Sequence, residues 1–177
     1  MLLYFIISSM MAACVVMELF FGICGLLVPL TALAGFYCTV AARWEKTVVP
    51  FTVASTLLDL SYGRLIPFSL LLVAPLLFFG SYWREHGNTK SILAQAVPGC
   101  AIGIAAFATA SAYSAYYGVI SGRSLDFLPF GSALQSFAGG GCALPLLVVV
   151  FDYAMKAFGF RIYSAAGDYM GKGGEDE

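Results

Sequence analysis

The chain has 177 residues, of which 60% are hydrophobic, 15% aromatic and only 11% charged, with a mean hydropathy of +0.88. Soluble globular domains carry about 25% charged residues and about half apolar ones. This composition leaves too little polar surface to cover a water-soluble core, which excludes a soluble enzyme, a secreted disulfide scaffold and a disordered region. Nine Lys and Arg against ten Asp and Glu leave a net charge of −1. No basic field invites nucleic acid, and the chain reads as an all-α integral membrane protein embedded in a lipid bilayer.

A helix needs about 20 apolar residues to cross about 30 Å of hydrocarbon, and six runs between charges are candidates. The first covers residues 2–20, broken only by Glu18 near its end. It lacks the positive n-region of a cleaved signal, and nothing basic precedes Met11-Ala12-Ala13-Cys14, a superficial lipoprotein box. The second, 24–42, stops at Arg43-Trp44-Glu45-Lys46, and the third, 47–62, is the shortest and carries Asp59. The fourth, 65–83, holds Pro67 and Pro75 and ends at Arg84-Glu85-His86. The fifth, 92–120, is interrupted at Pro98-Gly99, and the sixth, 136–155, contains Gly139-Gly140-Gly141 and Pro145 and ends at Lys156. Between the last two, Phe127-Leu128-Pro129-Phe130 is too apolar for a free loop and is expected to lie along the outer membrane surface. Residues 1–160 form one six-helix domain in this reading; 161–177 are a polar, Gly-rich cytoplasmic tail expected to be disordered.

Cytoplasmic loops carry an excess of Lys and Arg. With six crossings one side holds Arg43, Lys46, Arg84, Lys90, Lys156, Arg161 and Lys172, and the other only Arg64 and Arg123. Removing the weak third span gives a far less polarised split. The sequence therefore predicts six transmembrane helices with both termini in the cytoplasm. Trp44 and Trp83 lie beside the charges closing the second and fourth spans, where amphipathic rings prefer the interface.

Acids inside a span are expensive and point to function by default. Asp59 follows Lys46 by 13 residues, about 20 Å of helix, which places it in the outer third of the bilayer. Glu18 also falls near the outer end, as do Arg64, Arg123, Asp126 and the Tyr113, Tyr116 and Tyr117 group. These are either interfacial ion pairs or a polar site; the sequence leaves both open. Asp152 and Lys156 are one turn apart and read as a local pair. Gly99, Gly103, Ala106, Ala110 and Ser114 make a small-residue stripe on the fifth span, which suits close helix packing within the bundle or against a partner. The cysteines (Cys14, Cys24, Cys38, Cys100, Cys142) all sit in apolar stretches without metal-ligand spacing and read as packing residues. The single histidine, His86, lies in a loop, and neither a zinc motif nor a phosphate-binding loop is present. No cofactor, no metal and no enzymatic activity are expected.

The segment Leu57-Leu58-Asp59-Leu60-Ser61-Tyr62-Gly63-Arg64, running on into Leu65-Ile66-Pro67-Phe68-Ser69-Leu70, resembles the rod shape-determining protein MreD family. There an apolar helix ends in Leu-Leu-Asp, a short turn with Gly follows, and a second apolar helix begins. The match covers about residues 50 to 75; the remainder agrees in layout. The resemblance implies a small bacterial inner-membrane scaffold of the cell-elongation machinery, a compact bundle like the substrate-binding components of energy-coupling-factor transporters. It implies binding to an MreC-like single-span protein and, through it, to an MreB-like cytoskeletal protein and wall-synthesis enzymes. Asp59 and Gly63 are the positions it transfers. The other reading is a membrane subunit that captures a vitamin-type small molecule, with Glu18, Asp59, Arg64 and the tyrosines around a pocket at the outer face.

Overall fold

The computed structural model describes residues 2–64, 66–89, 91–121, 130–160 and 162–163. These form six helices, α1 (Leu2–Ile23), α2 (Leu30–Ala42), α3 (Trp44–Ser61), α4 (Leu70–His86), α5 (Ile92–Ile120) and α6 (Phe130–Ala157), with no strand among the described residues. Arg123, Asp126, Lys90, Arg161, Lys172 and most of the expected tail and outer loop lie outside the described residues.

Each predicted span holds a helix, but three boundaries differ for physical reasons. The second span was expected from residue 24, yet α2 begins at Leu30. Gly25 takes a left-handed φ of +76°, a conformation that ends helices, and the backbone stays irregular through Pro29. The fourth span was expected from residue 65, whereas α4 starts at Leu70. Pro67 and Phe68 instead make a tight turn in which Leu70 and Leu71 N–H donate to Pro67 and Phe68 carbonyls at 3.2 and 3.0 Å. The sixth helix starts at Phe130 rather than 136, so Phe130 belongs to a helix and not to a surface loop.

Three helices, Leu2–Ile23, Leu93–Ile120 and Phe130–Ala157, are long and apolar enough to cross a membrane. α2 is different: at 13 residues it is short, and Thr31 to Ala41 are buried on every face. It touches all five other helices. Its apolar character therefore serves protein packing rather than lipid contact. The other helices turn large apolar side chains outward, among them Phe5, Phe20, Val53, Phe78, Leu93 and Leu146, each more than half exposed. Such a continuous apolar exterior suits hydrocarbon rather than water.

Packing around α2 depends on side chains missing at particular points. A Cβ at Gly35 would come within 2.6 Å of the Phe51 ring, so α3 approaches α2 only because position 35 is glycine. Gly80 does the same for α4, where a Cβ would meet Thr39 at 2.9 Å. The closest seam is α5 against α6. A Cβ on Gly99 would strike the Gly140 carbonyl and one on Gly103 the Ser136 carbonyl. Ser136 Oγ donates to the Gly103 carbonyl at 2.8 Å inside this seam. Gly99 and Gly103 of the small-residue stripe are thus engaged within the chain, where dispersion between close backbones replaces the hydrophobic drive that lipid cannot provide.

Candidate functional site

Polar side chains gather at the two ends of the bundle. At one end, α3 closes in a turn that its own sequence dictates. Gly63 has φ +67° with open space where a Cβ would stand, so conformation, not room, calls for glycine. Gly63 N–H donates to the Leu60 carbonyl at 3.0 Å and Arg64 N–H to the Asp59 carbonyl at 2.9 Å, the paired 5→2 and 6→1 bonds of a Schellman cap. That turn swings the Arg64 side chain back onto Asp59, where Nη1 donates to Oδ1 at 2.8 Å. The Asp59 carboxylate, 1% exposed, also accepts from Ser69 N–H at 2.7 Å and from Ser69 Oγ at 2.8 Å. Ser69 is the N-cap residue immediately before α4, so Asp59 holds the end of α3 to the start of α4 and meets the positive end of that helix. Arg64 lies over the Tyr113 and Tyr62 rings at 5.0 and 5.1 Å, and Phe68 packs edge-on to Tyr113 at 5.4 Å.

Glu18 sits beside this group. Its Oε2 accepts from Thr31 N–H at 2.7 Å, which satisfies a free donor in the first turn of α2. Arg64 and Asp59 are both close enough to act on its charge, and Tyr62 Oη donates to the Glu18 backbone carbonyl at 3.4 Å. Between these residues lies a cavity of about 300 Å³ to which all six helices contribute, including Glu18, Thr31, Ser55, Leu72, Ala106 and Gln135. Arg64 lines it, whereas Asp59 stands behind Arg64 and Ser69.

The structure therefore brings together Glu18, Asp59, Gly63 and Arg64, and it separates Gly99 and Gly103, which belong to the α5–α6 seam. Thr31, Ser69 and Gln135 are site residues that the sequence reading missed. Pro29-Leu30-Thr31 and Pro67-Phe68-Ser69 both carry a helix-start signal, proline followed within two residues by a hydroxyl side chain. Among the described residues no group of three or more His, Cys, Asp or Glu could hold a metal ion.

The opposite end holds a second network. Asp152 Oδ1 accepts from Tyr37 Oη at 2.7 Å and from Tyr163 N–H at 2.8 Å, long-range contacts beyond the local Lys156 pairing that the spacing suggested. Tyr163, within the segment expected to be disordered, is fully buried and stacks on Tyr37 at 5.6 Å. Burial pushes its phenol above the ordinary tyrosine range. Trp83 likewise turns its indole nitrogen inward, while Trp44 remains half exposed. Comparison with protein-family models, with curated proteins and with solved structures finds no match for this chain.

Proposed function

We propose that the chain is a multi-pass membrane scaffold subunit of the type its Asp59–Gly63 segment resembles, with six crossings and both termini in the cytoplasm of a bacterial inner membrane. In this role it binds an MreC-like single-span protein and connects it to an MreB-like filament and the wall synthases, without catalysis. The observation carrying the reading is the work done by the transferred positions. Gly63 sets the turn, and the Asp59 carboxylate spends its hydrogen bonds on Arg64 and Ser69, fixing two helices rather than facing the cavity. The distribution of ends supports the crossings. Arg43 and Lys46 gather with Leu3, Met155 and Phe160, and Glu18, Tyr62, Arg64 and Ser132 gather elsewhere, as alternating up and down helices require. Although α2 is short, its irregular approach from Cys24 to Pro29 borders a cavity, a place where membrane-depth backbone is tolerated.

Purification of the tagged protein from its native host in mild detergent, with mass spectrometry of what is retained, tests this. Recovery of a single-span MreC-like protein and wall-elongation enzymes supports the scaffold. Recovery of an ATPase module without them overturns it.

A second reading, a membrane subunit that captures a small molecule, is favoured by one specific observation: the cavity shared by all six helices. It predicts a stoichiometric small molecule in the same preparation.

A further inference from the structure

The charges around the cavity do not balance. Arg64 is matched by Asp59 at 2.8 Å and its guanidinium lies over two tyrosine rings, so its charge is already used. Glu18 Oε2 accepts from Thr31 N–H, and Arg64 stands close enough to act on the carboxylate. Thr31 itself is 2% exposed, and its buried hydroxyl oxygen has no hydrogen-bond partner among the described residues. Leaving the buried Thr31 hydroxyl unpaired is costly. Both residues line the cavity. Phe51, Leu72, Ala106 and Ala110 supply apolar lining, beside Ser55, Thr109, Ser132 and Gln135. A carboxylate and a hydroxyl on a chamber that also carries apolar lining suit a compact donor-rich cation with an apolar body, since ammonium offers three donors and no acceptor. An anionic ligand would meet Glu18 with no free positive charge to receive it.

We propose that this cavity binds a small amphipathic organic cation, its ammonium on Glu18 Oε1 and Thr31 Oγ1 and its apolar body against Phe51, Leu72 and Ala106. The inference rests on the same cavity as the second functional reading, and it requires no transport step. The ammonium belongs either to a soluble molecule or to a lipid headgroup such as phosphatidylethanolamine; the chemistry recognised is the same.

The test is calorimetric titration of the full chain in neutral maltoside micelles with three probes of matched size: phenethylamine, 2-phenylethanol and phenylacetate. The amine is expected to bind at least tenfold more tightly than the alcohol, with no measurable binding of phenylacetate. E18Q keeps an acceptor for Thr31 N–H and should lose at least tenfold in amine affinity with little change in thermal midpoint. A110F, which fills the chamber and leaves Glu18 intact, should abolish binding and serves alone if E18Q does not fold. Adding phosphatidylethanolamine to the micelles separates the sources: displacement of the amine assigns the site to a lipid headgroup, and no displacement assigns it to a soluble cation. Equal or tighter binding of the alcohol or the anion, lost in A110F, overturns the cation and leaves the cavity as a capture site. Absence of binding by all three probes overturns both.

Discussion

Replacing Asp59 by alanine should loosen the joint between α3 and α4. The carboxylate is 1% exposed and accepts three hydrogen bonds, from Arg64 Nη1, Ser69 N–H and Ser69 Oγ. A hydrogen bond to a charged acceptor contributes about 1.5–3 kcal/mol, and removing one member of a buried ion pair costs about 3–5 kcal/mol. Arg64 is 18% exposed and can turn to water while keeping its aromatic contacts, which sets the loss near the lower bound, about 3 kcal/mol. For a chain of this size each kcal/mol moves the midpoint by about 2–4 °C, so D59A should melt about 6–12 °C lower. Thermal unfolding in mild detergent, followed by tryptophan fluorescence, reads this directly. D59N retains an acceptor for Ser69 and should fall about half as far. D59A/R64A should be less destabilised than the sum of its single variants, because removing Arg64 also removes the cation left without its partner. A midpoint for D59A within 2 °C of the parent, or strict additivity in the double variant, would refute the account of Asp59 as the fixed point of this end.

Three further outcomes follow from other parts of the structure. Gly35→Ala should lower the midpoint through overpacking of about 1–3 kcal/mol, because its Cβ meets the Phe51 ring at 2.6 Å; G35A/F51L should recover part of the loss, and a neutral G35A would contradict the α2–α3 approach. Tyr163 is buried and neutral in the fold with its phenol raised, whereas the unfolded phenol ionises near pH 10. The unfolded chain then holds fewer protons above that pH, so stability falls as pH rises, by up to about 1.4 kcal/mol per unit; Y163F should show a shallower alkaline decline, and identical slopes would speak against this burial. Cys24 is exposed at the end of α1 while Cys14 and Cys38 are buried. With the N-terminus inside, a membrane-impermeant maleimide should label Cys24 in intact spheroplasts, and labelling only after lysis would reverse the proposed orientation.

The positions of the six helices and the residue types at their ends were legible in the sequence, because the apolar runs and the charges that stop them are visible. Glu18, Asp59, Gly63 and Arg64 were legible too. A short loop restricts where Asp59 and Arg64 can go, and acids in apolar runs stand out against their surroundings. The central place of α2 was not legible, since hydropathy cannot distinguish a face turned to lipid from one turned to protein. Only packing shows that Thr31 to Ala41 form the centre of the bundle. Long-range pairing was equally hidden. Asp152 meets Tyr37, 115 residues away, and Gly99 and Gly103 meet Gly140 and Ser136 across the α5–α6 seam. Glu18 caps α2 and shares a cavity with Gln135. Local sequence determines which residues want a polar neighbour or a close approach. Which neighbour they receive depends on how six helices, with few polar choices between them, pack at the same moment.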